Sequence, residues 1–277
     1  MPTDSLAIDH IYNVDCAELL RSLPDESVDL VIADPPYFQV KGDFDFGVFG
    51  DRQSYLNWSR QWITECKRVL KPNGTLILWG GVGKAGIMMA RLAIMIEDEG
   101  ILTRQNWVTQ RNTRGYGTQR NYVSAREEFL FLVKGKDYTF NVPYTTERST
   151  RKDLGANGKP RRNTHKRVTN VWVDVTEASQ SSVERCGHPT VKALRLCDRI
   201  IQTHSDPGDL VLIPFVGSGS EVISAIRNDR HFVGSELDEE YFEVALERIE
   251  KLAAFESICY LHSSTRCGLM MLDSSST

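Results

Sequence analysis

The chain has 277 residues, 41% of them hydrophobic and 25% charged, with a formal net charge of −4. That length suits one substantial core with room for a small insertion, and the composition is that of an ordinary soluble globular protein. No apolar run is long enough for a membrane span, the start "MPTDSLAIDHIYN" lacks the parts of a signal peptide, and six cysteines without a C-x-x-C pair read as reduced thiols, which together predict a cytoplasmic protein.

Residues 9–36 read as strand, helix and strand: "HIYNVD", "CAELLRSLPDES" and "VDLVIADPP". A Gly- and Phe-rich loop follows. "SYLNWSRQWITECKRVL" then places apolar residues at 55, 58, 62, 63, 66, 69 and 70, the spacing of a helix face. "TLILWG" is a strand, "KAGIMMARLAIMIEDEG" a helix ending at Gly100, and "EEFLFLVKG" a further strand. Order weakens from about Lys136 to Gly187, a stretch too long for a structureless loop in a compact domain, and so expected to be a small inserted module. A helix over about 190–204 precedes strand "LVLIPF", turn "VGSGS", helix "EVISAIRNDR", strand "HFVGSE" and helix "LDEEYFEVALERIEKLAAFE". This alternation predicts an α/β fold with a doubly wound, mostly parallel sheet. The expected division is 1–136 and 188–256 as two halves of one domain, 137–187 as the insert, and 257–277 as a loose tail.

Charge is unevenly spread. Residues 104–168 hold 15 Lys/Arg against 5 Asp/Glu, while the remainder is acidic. A basic segment on an acidic body fits a polyanion-binding face, against the plainer reading of a solvated basic surface.

Two short stretches carry chemistry. In "VIADPPYF" two prolines end an apolar strand, each removing a backbone donor and fixing φ near −65°. The turn would hold the Asp34 carboxylate and the Tyr37 ring at the C-terminal edge of a sheet, where open α/β sheets bind ligands. A lone D-P-P also serves as a plain strand end, so this stretch leaves both readings open. In "LVLIPFVGSGSEVISAI", Gly217 and Gly219 allow a sharp turn and close approach to a ligand at a helix start. Glu236 ends the next strand, where an acid would meet a ribose hydroxyl pair. Val222, followed by Ile223, stands where a third glycine of the pyrophosphate-binding pattern would fall, which favours a nucleoside without pyrophosphate, such as S-adenosylmethionine.

"ADPPY" at 33–37 followed by "FVGSG" at 215–219 resembles the signature pair of the amino-methylating DNA methyltransferases, in the permuted order of their beta class. "YNVDCAELLRSLPDESVDLVIADPPY" and "HPTVKALRLCDRII" resemble further blocks of that family, and the likeness covers roughly 9–136 and 188–250. It implies a Rossmann-like methyltransferase with a DNA-recognition insert that acts on a flipped adenine at N6, with cytosine N4 as the alternative target. Carried over by position, Asp34, Pro35, Pro36 and Tyr37 are the implied catalytic residues. Asp15, Cys16, Asp34, Lys192, Phe215, Gly217, Ser218, Gly219, Ser220, Glu236 and Leu237 are the implied S-adenosylmethionine contacts. Arg148, Arg151, Arg161, Arg162, Asn163 and His165 are expected to meet double-stranded DNA, and no metal is expected. The resemblance also leaves room for a homodimer and a cognate restriction endonuclease. The chain departs from the family pattern at Ile213, where an acid is usual, at Ser220, and at Val191 and Ala193. These departures keep open a DNA-binding protein whose cofactor site has decayed.

Overall fold

A computed structural model describes residues 7–38, 49–81, 86–116, 119–149, 164–175 and 191–251. Strand β1 (His10–Tyr12) leads through α1 (Cys16–Ser22) to β2 (Val28–Ala33). The chain continues through α2 (Arg52–Val69), β3 (Leu70–Gly80) and α3 (Gly86–Asp98). Two long strands follow, β4 (Thr103–Tyr116) and β5 (Ser124–Val133), then β6 (Tyr144–Arg148), β7 (His165–Arg167) and β8 (Val171–Trp172). The last part runs through α4 (Leu194–His204), β9 (Leu210–Ile213), α5 (Ser220–Arg227), β10 (His231–Ser235) and a sixth helix, α6, over 239–251.

Eight strands form one sheet in the order β1-β10-β9-β2-β3-β5-β4-β8. From β1 to β3 every pairing is parallel, whereas β5 runs antiparallel to both β3 and β4. The expectation of a doubly wound, mostly parallel sheet is met. All six residues of β2 are buried, as a strand covered on both faces must be. Helices α1, α2 and α3 bury Leu19, Leu20, Trp62, Ile63, Leu92 and Ile96 against one face. Helices α4, α5 and α6 bury Leu196, Ile200, Val222 and Ala245 against the other.

Helix α2 shows why the sequence folds this way. Its buried residues Tyr55, Leu56, Trp62, Ile63, Cys66 and Val69 recur at helical spacing. Its N-cap, Asp51, accepts the Ser54 N–H at 2.7 Å. In β2 the buried Asp29 is bound by Lys71 Nζ at 2.7 Å and accepts the Leu210 N–H at 3.0 Å, which ties β9 to β2.

The polar middle of the chain divides in two. Strands β6 and β7 form a separate two-stranded sheet. Tyr138 and Phe140 pack instead on Phe131, and β8 pairs with β4 so that Trp172 enters the core. No helix among the described residues is long and apolar enough to cross a membrane.

Strand order decides where a ligand can sit. From β9 the chain moves through α5 to β10 on one side; from β2 it moves through α2 to β3 on the other. Strands β9 and β2 are neighbours, so the sheet reverses its winding between them. A crevice opens at such a switch point, outside the carboxyl ends of the strands.

Candidate active site

Asp34, Pro35, Pro36 and Tyr37 leave the carboxyl end of β2, on one side of that switch point. Helix α2 fixes the turn, since the Tyr55 hydroxyl donates to the Pro36 carbonyl at 3.0 Å and Phe38 is buried against the Tyr55 ring. The Tyr37 hydroxyl donates to Asp34 Oδ1. Burial, and then the neighbouring Asp34 charge, push that hydroxyl well above the usual tyrosine range, so it stays protonated.

Lys192, in the segment entering α4, reaches the same carboxylate. Its Nζ lies 3.3 Å from Asp34 Oδ2, 2.6 Å from Glu127 Oε2 and 4.2 Å from the centre of the Trp79 ring. The side chain is 9% exposed. Burial alone would lower its pKa, yet the Asp34 and Glu127 carboxylates hold it well above the ordinary lysine value, so the ammonium persists. A buried cation between two carboxylates and over an aromatic face is a rigid arrangement that fixes where Asp34 points.

The glycine turn follows β9 on the other side of the crevice. Gly217 and Gly219 have φ of +52° and +79°, in the left-handed region that favours glycine. A Cβ on Gly219 would stand 3.2 Å from the Ala245 Cβ, so α6 closes on the turn. Arg248 of α6 donates to the Ser218 carbonyl and, at 3.3 Å, to Ser220 Oγ. Glu236, just after β10, accepts the Gly217 N–H at 2.7 Å and the Asp238 N–H at 3.0 Å. Burial raises its carboxyl above the usual range, while those hydrogen bonds oppose the shift. Phe215 packs between Trp58 and Trp62, with ring centres 5.9 and 5.2 Å away.

The carboxyl ends of β1, β10, β9 and β2 thus share one edge. Asn13 Nδ2 donates to the Glu236 carbonyl at 2.9 Å, the Glu236 N–H to the Tyr12 carbonyl at 3.0 Å, and the Val216 N–H to the Ser235 carbonyl at 2.9 Å. Asp15 is exposed and caps α1 by accepting the Ala17 N–H at 2.8 Å, beside a buried Cys16 whose thiol burial pushes up to about 12. Ser218 and Ser220 are buried, Leu237 is exposed, and Ile213 is wholly buried in β9.

Of the residues expected on DNA, Arg148 and His165 face each other across the exposed β6–β7 pair. Arg151, Arg161, Arg162 and Asn163 lie outside the described residues. No group of three or more metal-ligating side chains occurs among the described residues. Phe49, one of the loop phenylalanines, packs on Tyr55 and Trp58 as core, whereas Phe44 and Phe46 lie outside the described residues.

Three residues at this edge were not anticipated: Glu127, Trp79 and Glu221. Glu127 opens the apolar run of β5 and Trp79 closes that of β3, so both read as strand ends. Glu221 reads as an ordinary acid in the first turn of a helix. Its carboxyl is nevertheless buried, with Oε1 lacking any hydrogen-bond partner among the described residues.

A switch-point crevice with an acid–proline–proline–aromatic turn on one wall and a glycine turn on the other defines a Rossmann-like α/β domain built for a nucleoside cofactor. Residues 28–247 match the family of DNA methylases denoted N6_N4_Mtase, and the chain belongs to that family, whose members draw their methyl group from S-adenosylmethionine. The type II methyltransferase M.HpaI of Haemophilus parainfluenzae is 34% identical over 249 residues, spanning 86% of this chain and 74% of that protein. The type II methyltransferase M.BamHI of Bacillus amyloliquefaciens is 34% identical over 250 residues, 87% of this chain but only 56% of that relative. The crystal structure of the M1.HpyAVI–SAM complex superposes with a TM-score of 0.59 at 27% identity, covering 87% of this chain and 98% of that one.

Proposed function

We propose that this protein is a site-specific type II DNA methyltransferase that carries the methyl group of S-adenosylmethionine to the N6 amine of an adenine flipped out of duplex DNA. The observation that carries the reading is the Asp34 carboxylate, set by two prolines on the switch-point edge beside the glycine turn and clamped by Lys192 and Tyr37. The residues present fit the cofactor: the glycines leave a close-approach cradle, Glu236 offers carboxylate oxygens at the β10 tip, and Glu221 Oε1 lacks a partner among the described residues. When bound, S-adenosylmethionine supplies an electrophilic methyl group on a sulfonium.

The chain's own groups do the rest. An exocyclic amine is a weak nucleophile because its lone pair is delocalised into the ring. Asp34 accepts one of its N–H bonds and the Pro35 carbonyl the other, which favours the pyramidal amine whose lone pair is free. Such preorganised acceptors act where charge develops in the transition state. Tyr37 must yield its bond to Asp34 Oδ1 for the amine to take that oxygen, and the released tyrosine ring then offers a stacking face worth about 1–3 kcal/mol. The base is out of reach in a stacked duplex, so extrusion precedes transfer. Arg148, His165 and the neighbouring basic segment supply phosphate and groove contacts. A cognate endonuclease is the natural partner, given two type II relatives.

The test is to incubate the purified protein with duplex DNA rich in sequence contexts and methyl-labelled S-adenosylmethionine, then digest and identify the labelled nucleoside. Label in N6-methyladenine supports the proposal. Label in N4-methylcytosine would move the target to cytosine, and no label together with no cofactor binding would favour a decayed site.

A further inference from the structure

Glu221 presents a problem that the proposed chemistry does not resolve. It is the second residue of α5, directly behind the glycine turn, and only 6% exposed. Its Oε1 has no hydrogen-bond partner among the described residues. Ionised carboxylates are not buried without compensation, because losing hydration costs far more than a helix N-terminus returns. The charged and titratable groups acting on it come from every neighbouring wall: Asp34 from the β2 tip, Lys192 and Cys197 from α4 and its approach, and Arg248 from α6. Asp34 acts on it more strongly than either cation singly, and Lys192 is already engaged by Asp34 and Glu127. In the free protein, burial first and Asp34 second raise the Glu221 carboxyl to about 7.

A buried acid with an unmet acceptor, beside a cradle for a small ligand, calls for a cationic donor. S-adenosylmethionine carries two positive groups. Its sulfonium has no hydrogen to donate, whereas the ammonium of its amino-acid end has three. We propose that Glu221 is the residue that binds this ammonium, its buried, unpartnered Oε1 accepting the hydrogen bond and any proton the carboxyl holds passing to solvent as the cofactor's positive charge enters. This rests on the methyltransferase reading above and deepens it, by naming the side chain that receives the amino-acid end and by coupling cofactor binding to pH.

The test uses binding, not turnover. Affinities of the full-length protein and its Glu221→Gln variant are measured by calorimetry for three probes. S-adenosylmethionine and S-adenosylhomocysteine both keep the ammonium; methylthioadenosine lacks the amino-acid end. We expect the variant to bind the first two about 10- to 100-fold more weakly, the weight of one charge-assisted hydrogen bond, and methylthioadenosine equally well. Titrating the wild type near pH 7 in buffers of different ionisation enthalpy should reveal a net proton release, about half a proton per site, with S-adenosylmethionine but not with methylthioadenosine. That readout needs no variant and decides the matter if Glu221→Gln fails to fold. Unchanged affinity in a folded variant, or no proton release by the wild type, overturns the proposal while leaving the methyltransferase reading standing. Failure of the wild type to bind any of the three probes would overturn that reading, and this inference with it.

Discussion

The Lys192 ammonium stands 3.3 Å from the Asp34 carboxylate, although the two residues lie in opposite halves of the chain. With Glu127 at 2.6 Å on its other side, Lys192 joins the tip of β2, the start of β5 and the approach to α4. The acid expected to hold the target amine is thereby oriented by groups from three separate segments.

Asp34→Ala removes the acceptor and leaves the fold's hydrophobic layers untouched. Methyl transfer should fall by about 1,000-fold or more, the weight of a preorganised transition-state contact, while duplex DNA binding stays within a few-fold of wild type. Labelled-methyl transfer and gel-shift titration check this pair. Loss of DNA binding or of cooperative unfolding would count against the role given to Asp34.

Lys192→Met separates positioning from cofactor binding. If the ammonium mainly fixes Asp34, kcat should drop by about 10- to 100-fold with little change in the KM for S-adenosylmethionine. A rise in that KM at constant kcat would instead make Lys192 a cofactor contact. Breaking a buried ion pair costs up to about 3–5 kcal/mol, so thermal unfolding should be followed alongside. Glu127→Gln keeps an acceptor for the ammonium and should show the same direction more weakly.

His204 sets an acid limit to stability. It is buried between Phe131 and Phe140, its Nδ1 has no partner among the described residues, and burial lowers its pKa from 6.5 to about 3. The unfolded chain takes up a proton there that the folded chain refuses. The stability His204 contributes is therefore present above pH 6.5 and lost as pH falls toward 3, with a slope of up to about 1.4 kcal/mol per pH unit. Glu221 has the opposite sign: its share is complete below pH 4.5 and lost as pH rises through about 7. Between 4.5 and 6.5 the two oppose each other in the wild type. The difference between His204→Phe and wild type in urea midpoints should expose the histidine, with the variant losing less stability on acidification. Parallel pH profiles would refute it.

Gly219→Ala should weaken both the turn and the cofactor site. The residue holds φ +79°, which costs a side chain about 1–2 kcal/mol, and the new methyl would meet Ala245 of α6 at 3.2 Å. A fall in Tm of about 2–8 °C and reduced S-adenosylmethionine affinity are expected, measured by thermal scan and calorimetry. An unchanged Tm would mean that the turn accommodates the methyl by moving.

Much of the architecture was legible in the chain itself. Near-continuous apolar runs such as Val28–Ala33 and helical spacing such as that of Tyr55, Trp62, Ile63 and Cys66 respond to local burial, and the alternation of the two periods predicts a parallel sheet. The polar middle was less legible: Trp172 and Phe140 join the main core, but two isolated aromatics in a basic stretch carry no period.

Sequence by itself determined the fold class, the family, and the two turns that carry Asp34 and Gly217–Gly219, because local backbone chemistry, prolines that end a strand and glycines that reverse a chain, is written residue by residue. Only the tertiary structure decided which strands adjoin, and so that β2 and β9 form the switch point between those turns. It alone brought Lys192 and Glu127 to Asp34 and left Glu221 buried with an unmet acceptor. The physical reason is range: helix and strand periods are set within a few residues, whereas charge pairing and desolvation depend on neighbours that the chain supplies from hundreds of ångströms of contour away.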